Sequence, residues 1–241
     1  MKKLIFIFCF IVISSNVLMA QEDESQSEND IQLSMNADLV SRYVWRGLLY
    51  SSNVNIQPSI GLSCNNFFMG AWGSYGLSDK YAEVDFYAGY GLGNLTLTVN
   101  DYYTENETDM DQYDHFNFNN ETTNHALEGS LAYYFGDNCP LTLTGAMFLY
   151  GNDRDAEGEN FYSTYIEAHY DWQTAGEYQW SAFVGGTPAE GLYAGNAAIV
   201  NVGFSLTNEL IINDKLTLPV EGSLISNPEA EDVFLVMKVT F

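Results

Sequence analysis

Asp38, Arg42, Arg46, Glu83, Asp85, Glu128, Glu167, His169, Asp171, Glu221 and Lys238 all fall on the polar side of segments whose residues alternate apolar and polar. Collected on the inner wall of a narrow cylinder, such groups have two uses. Opposite charges can pair into an internal lattice, because charges withdrawn from bulk water must be paired or hydrated. They can also surround a water-filled constriction where acids outnumber bases and cations are favoured over anions. Both readings stay open at this level, and they are compatible. Within the set, Arg42 and Arg46 are expected to form the basic side of a transverse field against Glu83 and Asp85.

Other residues offer weaker chemistry. The run from Thr104 to Asn124 holds Glu105, Glu107, Asp109, Asp111, Asp114 and Glu121, a solvated acidic loop or a place for divalent cations to bridge to lipopolysaccharide. Asp153-Arg154-Asp155-Ala156-Glu157-Gly158 imitates the start of a calcium loop, but Thr164 stands in the twelfth place, where a bidentate Glu is needed. His115 and His125 flank the acidic loop, and no nucleophile elbow or His-Glu-x-x-His pair accompanies them or His169. Gly91, Gly93 and Asn94 suggest a phosphate loop, yet no helix follows, so a turn explains them. The sequence therefore gives no catalytic, metal or cofactor site, and an enzyme is not expected.

The elements that must position these groups are strands. From Ile31 the apolar period is two: Ile31, Leu33, Met35, Ala37, Leu39, Tyr43 and Trp45 share one side, opposite Gln32, Ser34, Asn36, Asp38, Arg42 and Arg46. The same rhythm sets Ala82, Val84, Phe86, Ala88 and Tyr90 against Glu83, Asp85 and Tyr87, and Leu95, Leu97 and Val99 against Thr96, Thr98 and Asn100. It continues to Val233, Leu235, Met237, Val239 and Phe241, opposite Lys238 and Thr240. Counting such segments predicts about twelve strands over 31–241.

Alternation alone also fits a soluble sandwich. Connection length separates the two. Odd connections are long or polar, as in Thr104 to Asn124 and Thr187 to Asn196, and even ones are tight, as in Cys64 to Asn66 and Gly91 to Asn94. Long outside and short inside is the rhythm of an outer-membrane barrel. Aromatic residues add a second signal, since Tyr and Trp favour membrane boundaries. Outward Phe67, Tyr90, Tyr133, Phe135, Trp172, Tyr178, Trp180 and Phe241 are expected at the periplasmic ends, and Tyr43, Trp45, Tyr75, Tyr103 and Tyr162 at the outer ends.

Lys2 and Lys3, the apolar run from Leu4 to Ile13 and the exit Leu18-Met19-Ala20 predict a cleaved secretory signal over 1–20. That run is shorter than the ~20 residues a spanning helix requires. An acidic, disordered lead-in is expected over 21–30. The net charge of -24 excludes nucleic acid as a partner. Disorder of the whole chain is excluded by a 46% hydrophobic and 15% aromatic composition. Cys64 and Cys139, at periplasmic turns about four strands apart, are expected to remain free thiols, being on the order of 20 Å apart where a disulfide needs Cα atoms within about 7 Å.

DLVSRYVWRG at Asp38 to Gly47, GAWGS at Gly70 to Ser74 and EVDFYAGY at Glu83 to Tyr90 resemble the TorF family of porins from Gram-negative bacteria. The resemblance covers about a third of the chain and implies an outer-membrane barrel whose transported substrate is not established. The C-terminal strand ending in Phe241 looks like the signal by which barrel assembly machinery recognises its clients. The expectation is thus an all-β, closed antiparallel transmembrane β-barrel in the cell outer membrane, in contact with lipid and lipopolysaccharide. It would pass small hydrophilic solutes, with cations preferred; a non-conducting barrel with a structural or adhesive role through acidic surface loops is the alternative.

Overall fold

A computed structural model describes residues 31–106, 113–174, 178–213 and 216–241. The expected signal 1–20 and lead-in 21–30 lie outside the described residues, as do Glu107, Asp109 and Asp111 of the acidic loop. The strands are β1 (Ile31–Val40), β2 (Tyr43–Trp45), β3 (Leu48–Ser51), β4 (Asn55–Cys64), β5 (Phe67–Gly76), β6 (Tyr81–Leu92), β7 (Leu95–Asn106), β8 (His125–Tyr134), β9 (Leu141–Gly151), β10 (Thr164–Gln173), β11 (Gln179–Thr187), β12 (Ala198–Asn213), β13 (Leu216–Asn227) and β14 (Asp232–Thr240). No helix occurs among the described residues.

Twelve of these strands, β1 and β4 through β14, form a closed antiparallel barrel in which each pairs with its chain neighbour and β14 returns to β1. The ladders are unequal. β1 registers with β4 through ten residue pairs, Ile31↔Cys64 to Val40↔Asn55. It meets β14 through three, Asp38↔Thr240, Leu39↔Val239 and Val40↔Lys238, with reciprocal backbone bonds between Ala37 and Phe241 and one from Ser41 to Met237 extending the seam at its ends.

The period of two separates the faces as the sequence requires. In β9, Thr142, Thr144, Ala146 and Phe148 are buried while Leu143, Met147 and Leu149 are exposed. Across the barrel the buried residues are mostly polar or charged, and the exposed ones include Leu33 at 67%, Leu131 at 54% and Leu235 at 64%. A water-soluble domain has the opposite distribution.

Inward aromatic rings lie against inward glycines of the next strand. Phe68 registers with Gly89 and Tyr87 with Gly70, and Phe183 with Gly203. A Cβ at Gly89 would stand 2.2 Å from Phe68 Cζ, and one at Gly70 would stand 2.4 Å from the Tyr87 hydroxyl. The missing side chain is what lets each ring lie flat on the wall.

The first strand departs from its expected course. Alternation carries it through Arg46, but β1 ends at Val40 and the chain turns into the separate β2–β3 hairpin. Trp45 registers with Leu48, and the two residues between them, Arg46 and Gly47, have φ of 50° and 79°. Positive φ at both central positions is the type I′ geometry that matches strand twist. Glycine is needed at the second position for a further reason: a Cβ on Gly47 would lie 1.9 Å from the Val200 carbonyl oxygen.

Candidate functional site

The β2–β3 hairpin belongs to the connection between β1 and β4, yet it folds inward across the lumen rather than outward. Its tip is held by strands on more than one side of the ring: the Asn227 amide of β13 donates to the Gly47 carbonyl at 3.2 Å, and the Arg46 guanidinium sits 4.7 Å from the centre of the Tyr165 ring of β10. Nearer its base, Tyr43 packs against Trp72 of β5 and Tyr81 of β6 at 5.4 and 5.8 Å. Tyr43 and Trp45, expected in an outer girdle facing lipid, therefore stand inside the barrel. The inward fold is what removes them from that face.

Arg46 is the centre of this closure. Its guanidinium makes a two-pronged ion pair with Glu128 of β8, through Nη1 to Oε2 and through Nη2 to Oε1 at 3.0 Å. Nη1 also donates to the Tyr193 hydroxyl at 2.5 Å, and the cation lies 4.3 Å from the Trp45 ring centre. Glu128 additionally accepts from the Tyr102 hydroxyl at 3.0 Å and the Asn100 amide at 3.4 Å. Burial pulls the Arg46 pKa down, but Glu128 together with the surrounding Tyr193 and Tyr102 outweighs it and holds the group well above its ordinary value. Tyr193, from the β11–β12 loop, closes the cluster from above and is also buried.

The other inward candidates are distributed along the wall. Asp38 accepts from Thr240 at 2.6 Å across the β1–β14 seam, and Lys238 pairs with Glu221 at 3.0 Å between β13 and β14. Glu167 accepts from Tyr165 at 2.5 Å and Asn201 at 2.9 Å. His169 stands between Glu167 at 3.8 Å and Asp171 at 3.2 Å, stacked on Phe183. Asp171 is exposed toward the C-terminal end of β10. Arg42 is half-buried just past β1 and forms no ion pair among the described residues.

Glu83 and Asp85 do not face Arg42 and Arg46 as an ion-paired array; Arg46 is taken by Glu128 instead. Glu83 accepts from the Tyr81 hydroxyl at 2.5 Å and Asp85 from the Tyr103 amide at 3.4 Å. Among the described residues no Lys, Arg or His forms an ion pair with either carboxylate.

Two loop readings resolve locally. Asp153 accepts from the Ser163 amide at 2.8 Å and hydroxyl at 2.5 Å, and Asp155 accepts from the amides of Glu157 and Glu159. These oxygens brace the loop, and no cluster of three or more metal-ligating side chains occurs among the described residues. The second half of the acidic loop is not simply solvated. It lies against the outward side of β7 and β8, where His125 Nδ1 meets Asp101 at 2.9 Å and Nε2 meets the His115 carbonyl at 2.8 Å. Phe118 stacks on His125, and Arg154 donates to the carbonyls of Asn120 and Thr123 at 2.7 and 2.9 Å. Cys64 and Cys139 are free thiols.

Residues 24–185 match a bacterial protein family of unknown function, Gcw_chp. The chain belongs to the Gcw_chp family. The Gcw_chp match includes the β2–β3 hairpin, Glu83, Asp85 and Glu128, and it stops within β11, ahead of Tyr193 and the seam. No curated protein matches the chain. Sequence reasoning missed the aromatic group Tyr43, Trp45, Tyr50, Tyr102 and Tyr193, because nothing in the parity of residues 41–51 marks a strand that leaves the wall.

Proposed function

We propose that this protein is an outer-membrane channel of porin type, exported by a cleaved signal peptide, that passes small hydrophilic solutes and prefers cations. The observation that carries the reading is the inverted distribution of side chains on a closed barrel. Rows of Leu, Ile, Val, Met and Phe cover the outside, while carboxylates, amides and hydroxyls fill the inside. A sealed cylinder satisfies its backbone internally and can present oily residues to hydrocarbon. Lipid and lipopolysaccharide would cover that surface, and the β14 strand ending at Phe241 would dock on the assembly machinery. Resemblance to TorF porins in residues 38–47, 70–74 and 83–90 points the same way. Cation preference rests on Glu83 and Asp85, inward carboxylates without a basic partner among the described residues.

A second reading is favoured by the β2–β3 hairpin. With Arg46 latched to Glu128 across the mouth, the barrel would be closed at rest, and its role would be structural or adhesive. Refolded protein in a planar bilayer separates the two. Discrete conductance steps, with a reversal potential displaced toward the cation in a salt gradient, support the channel. Silence from correctly folded protein, persisting when Arg46→Met releases the latch, removes it.

A further inference from the structure

Between the hairpin and the wall formed by β6 to β9 lies a cavity of about 210 Å³ at the outer mouth. Rings line it on several sides: Tyr43, Trp45 and Tyr50 from the hairpin, Tyr102 from β7 and Phe148 from β9, with the Glu83 carboxylate among them. The rings are not stacked into one slab. Trp45 meets Tyr50 at 79° and Tyr102 at 65°, and Tyr102 meets Phe148 at 55°, so they enclose a space as the walls of a box. Exposed Thr104, Asn124 and Asn152 give the cavity an entrance, and the buried Asp153 carboxylate also lines it, with both oxygens accepting from Ser163.

The electrostatics of the box are one-sided. The aromatic faces carry the negative lobe of the ring quadrupole and attract a cation within about 6 Å of the centroid. The Tyr102 hydroxyl is already donated to Glu128, so this ring offers its face rather than a donor. Glu83, 4% exposed, adds a carboxyl group with no basic partner among the described residues. The nearby positive charge, Arg46, is neutralised by Glu128. A hard metal ion finds little here, since two lining carboxylates, one of them braced by Ser163, fall short of the six or more oxygens that calcium takes. An anion meets Glu83. A diffuse, weakly hydrated organic cation satisfies both the rings and the carboxylate.

We infer that this vestibule binds a small organic cation of the quaternary-ammonium class. The inference deepens the channel reading by naming a solute class for its mouth, but it does not require that anything crosses. Binding is measured on the full chain refolded in detergent, by titrating choline chloride against sodium chloride at matched ionic strength and following tryptophan fluorescence and heat of binding. Choline saturates a single site; 3,3-dimethylbutan-1-ol, its uncharged shape analogue, binds at least tenfold more weakly. Glu83→Gln and, separately, Tyr50→Leu each weaken choline at least tenfold in protein whose far-ultraviolet spectrum and gel mobility remain those of the folded barrel. The proposal is overturned by no saturable choline binding to folded protein, by equal affinity for the neutral analogue, or by unchanged affinity in both variants. Conductance without choline binding would reject this site and leave the channel; choline binding in a silent barrel would do the reverse.

Discussion

Arg46 and Glu128 are 82 positions apart in the chain, and they form a two-pronged ion pair inside the barrel with side-chain exposures of 2% and 0%. The contact ties the turn of an inward hairpin to the far wall. A pair so buried gains little over an apolar replacement of both partners, but losing one partner strands a charge in a poorly hydrated place.

Arg46→Met should therefore lower stability by roughly 3–5 kcal/mol, and Arg46→Met combined with Glu128→Met should recover most of that loss. Denaturant unfolding in detergent checks both. Equal destabilisation by the single and double variants would show that the pair is not what holds the hairpin in place.

Two glycines test whether the hairpin must approach β12 closely. Gly47 and Gly93 both have positive φ, 79° and 63°; a Cβ on Gly47 meets the Val200 carbonyl at 1.9 Å, whereas one on Gly93 meets nothing within 4 Å. Gly93→Ala should cost about 1 kcal/mol, the ordinary penalty of a left-handed residue with a Cβ. Gly47→Ala should cost more and unseat the hairpin, making Leu48 and Leu49 sensitive to externally added protease. Equal resistance of the two variants to protease would contradict the observed seating.

The outer end of β3 carries a pH-dependent clamp. Asp79, between β5 and β6, accepts from the Ser51 hydroxyl at 2.6 Å and the Asn53 amide at 3.0 Å, and the Ser51 bond is the main reason its pKa lies below the ordinary 3.8. A depressed folded value means the stabilisation is complete above 3.8 and is lost as pH falls through the folded value. Wild type should unfold at a slightly higher temperature than Asp79→Asn near neutrality, and the gap should close in acid. A gap that widens on acidification would reverse the assignment.

If ions cross, selectivity should follow the unpaired acids. Glu83→Gln with Asp85→Asn should move the reversal potential in a salt gradient toward the anion. An unchanged potential would place the selective constriction elsewhere.

Strand parity made most of the wall legible, because the barrel strands keep one oily and one wet side over most of their length. It placed Glu83, Asp85 and Glu128 inward without difficulty. It failed at residues 41–51, where Tyr43, Trp45, Leu48 and Tyr50 fit a wall strand as well as an internal hairpin. The turn there is Arg-Gly rather than the Asn-Gly that announces type I′ geometry. A usable signal was present at the other departure. Asp101 and His125 sit on the apolar parity of adjacent strands, and two polar residues together on an oily face require a cover, which the segment from His115 to Phe118 provides.

The thinness of the β1–β14 ladder has a consequence for how the cylinder comes into being. Eleven ladders can curl the sheet into an almost finished tube before its two edges find each other, and the final join then adds few hydrogen bonds. The seam is held by the Asp38–Val40 pairs and the Ala37–Phe241 backbone bonds, fewer than join β1 to β4, so this is where the tube would unzip sideways first.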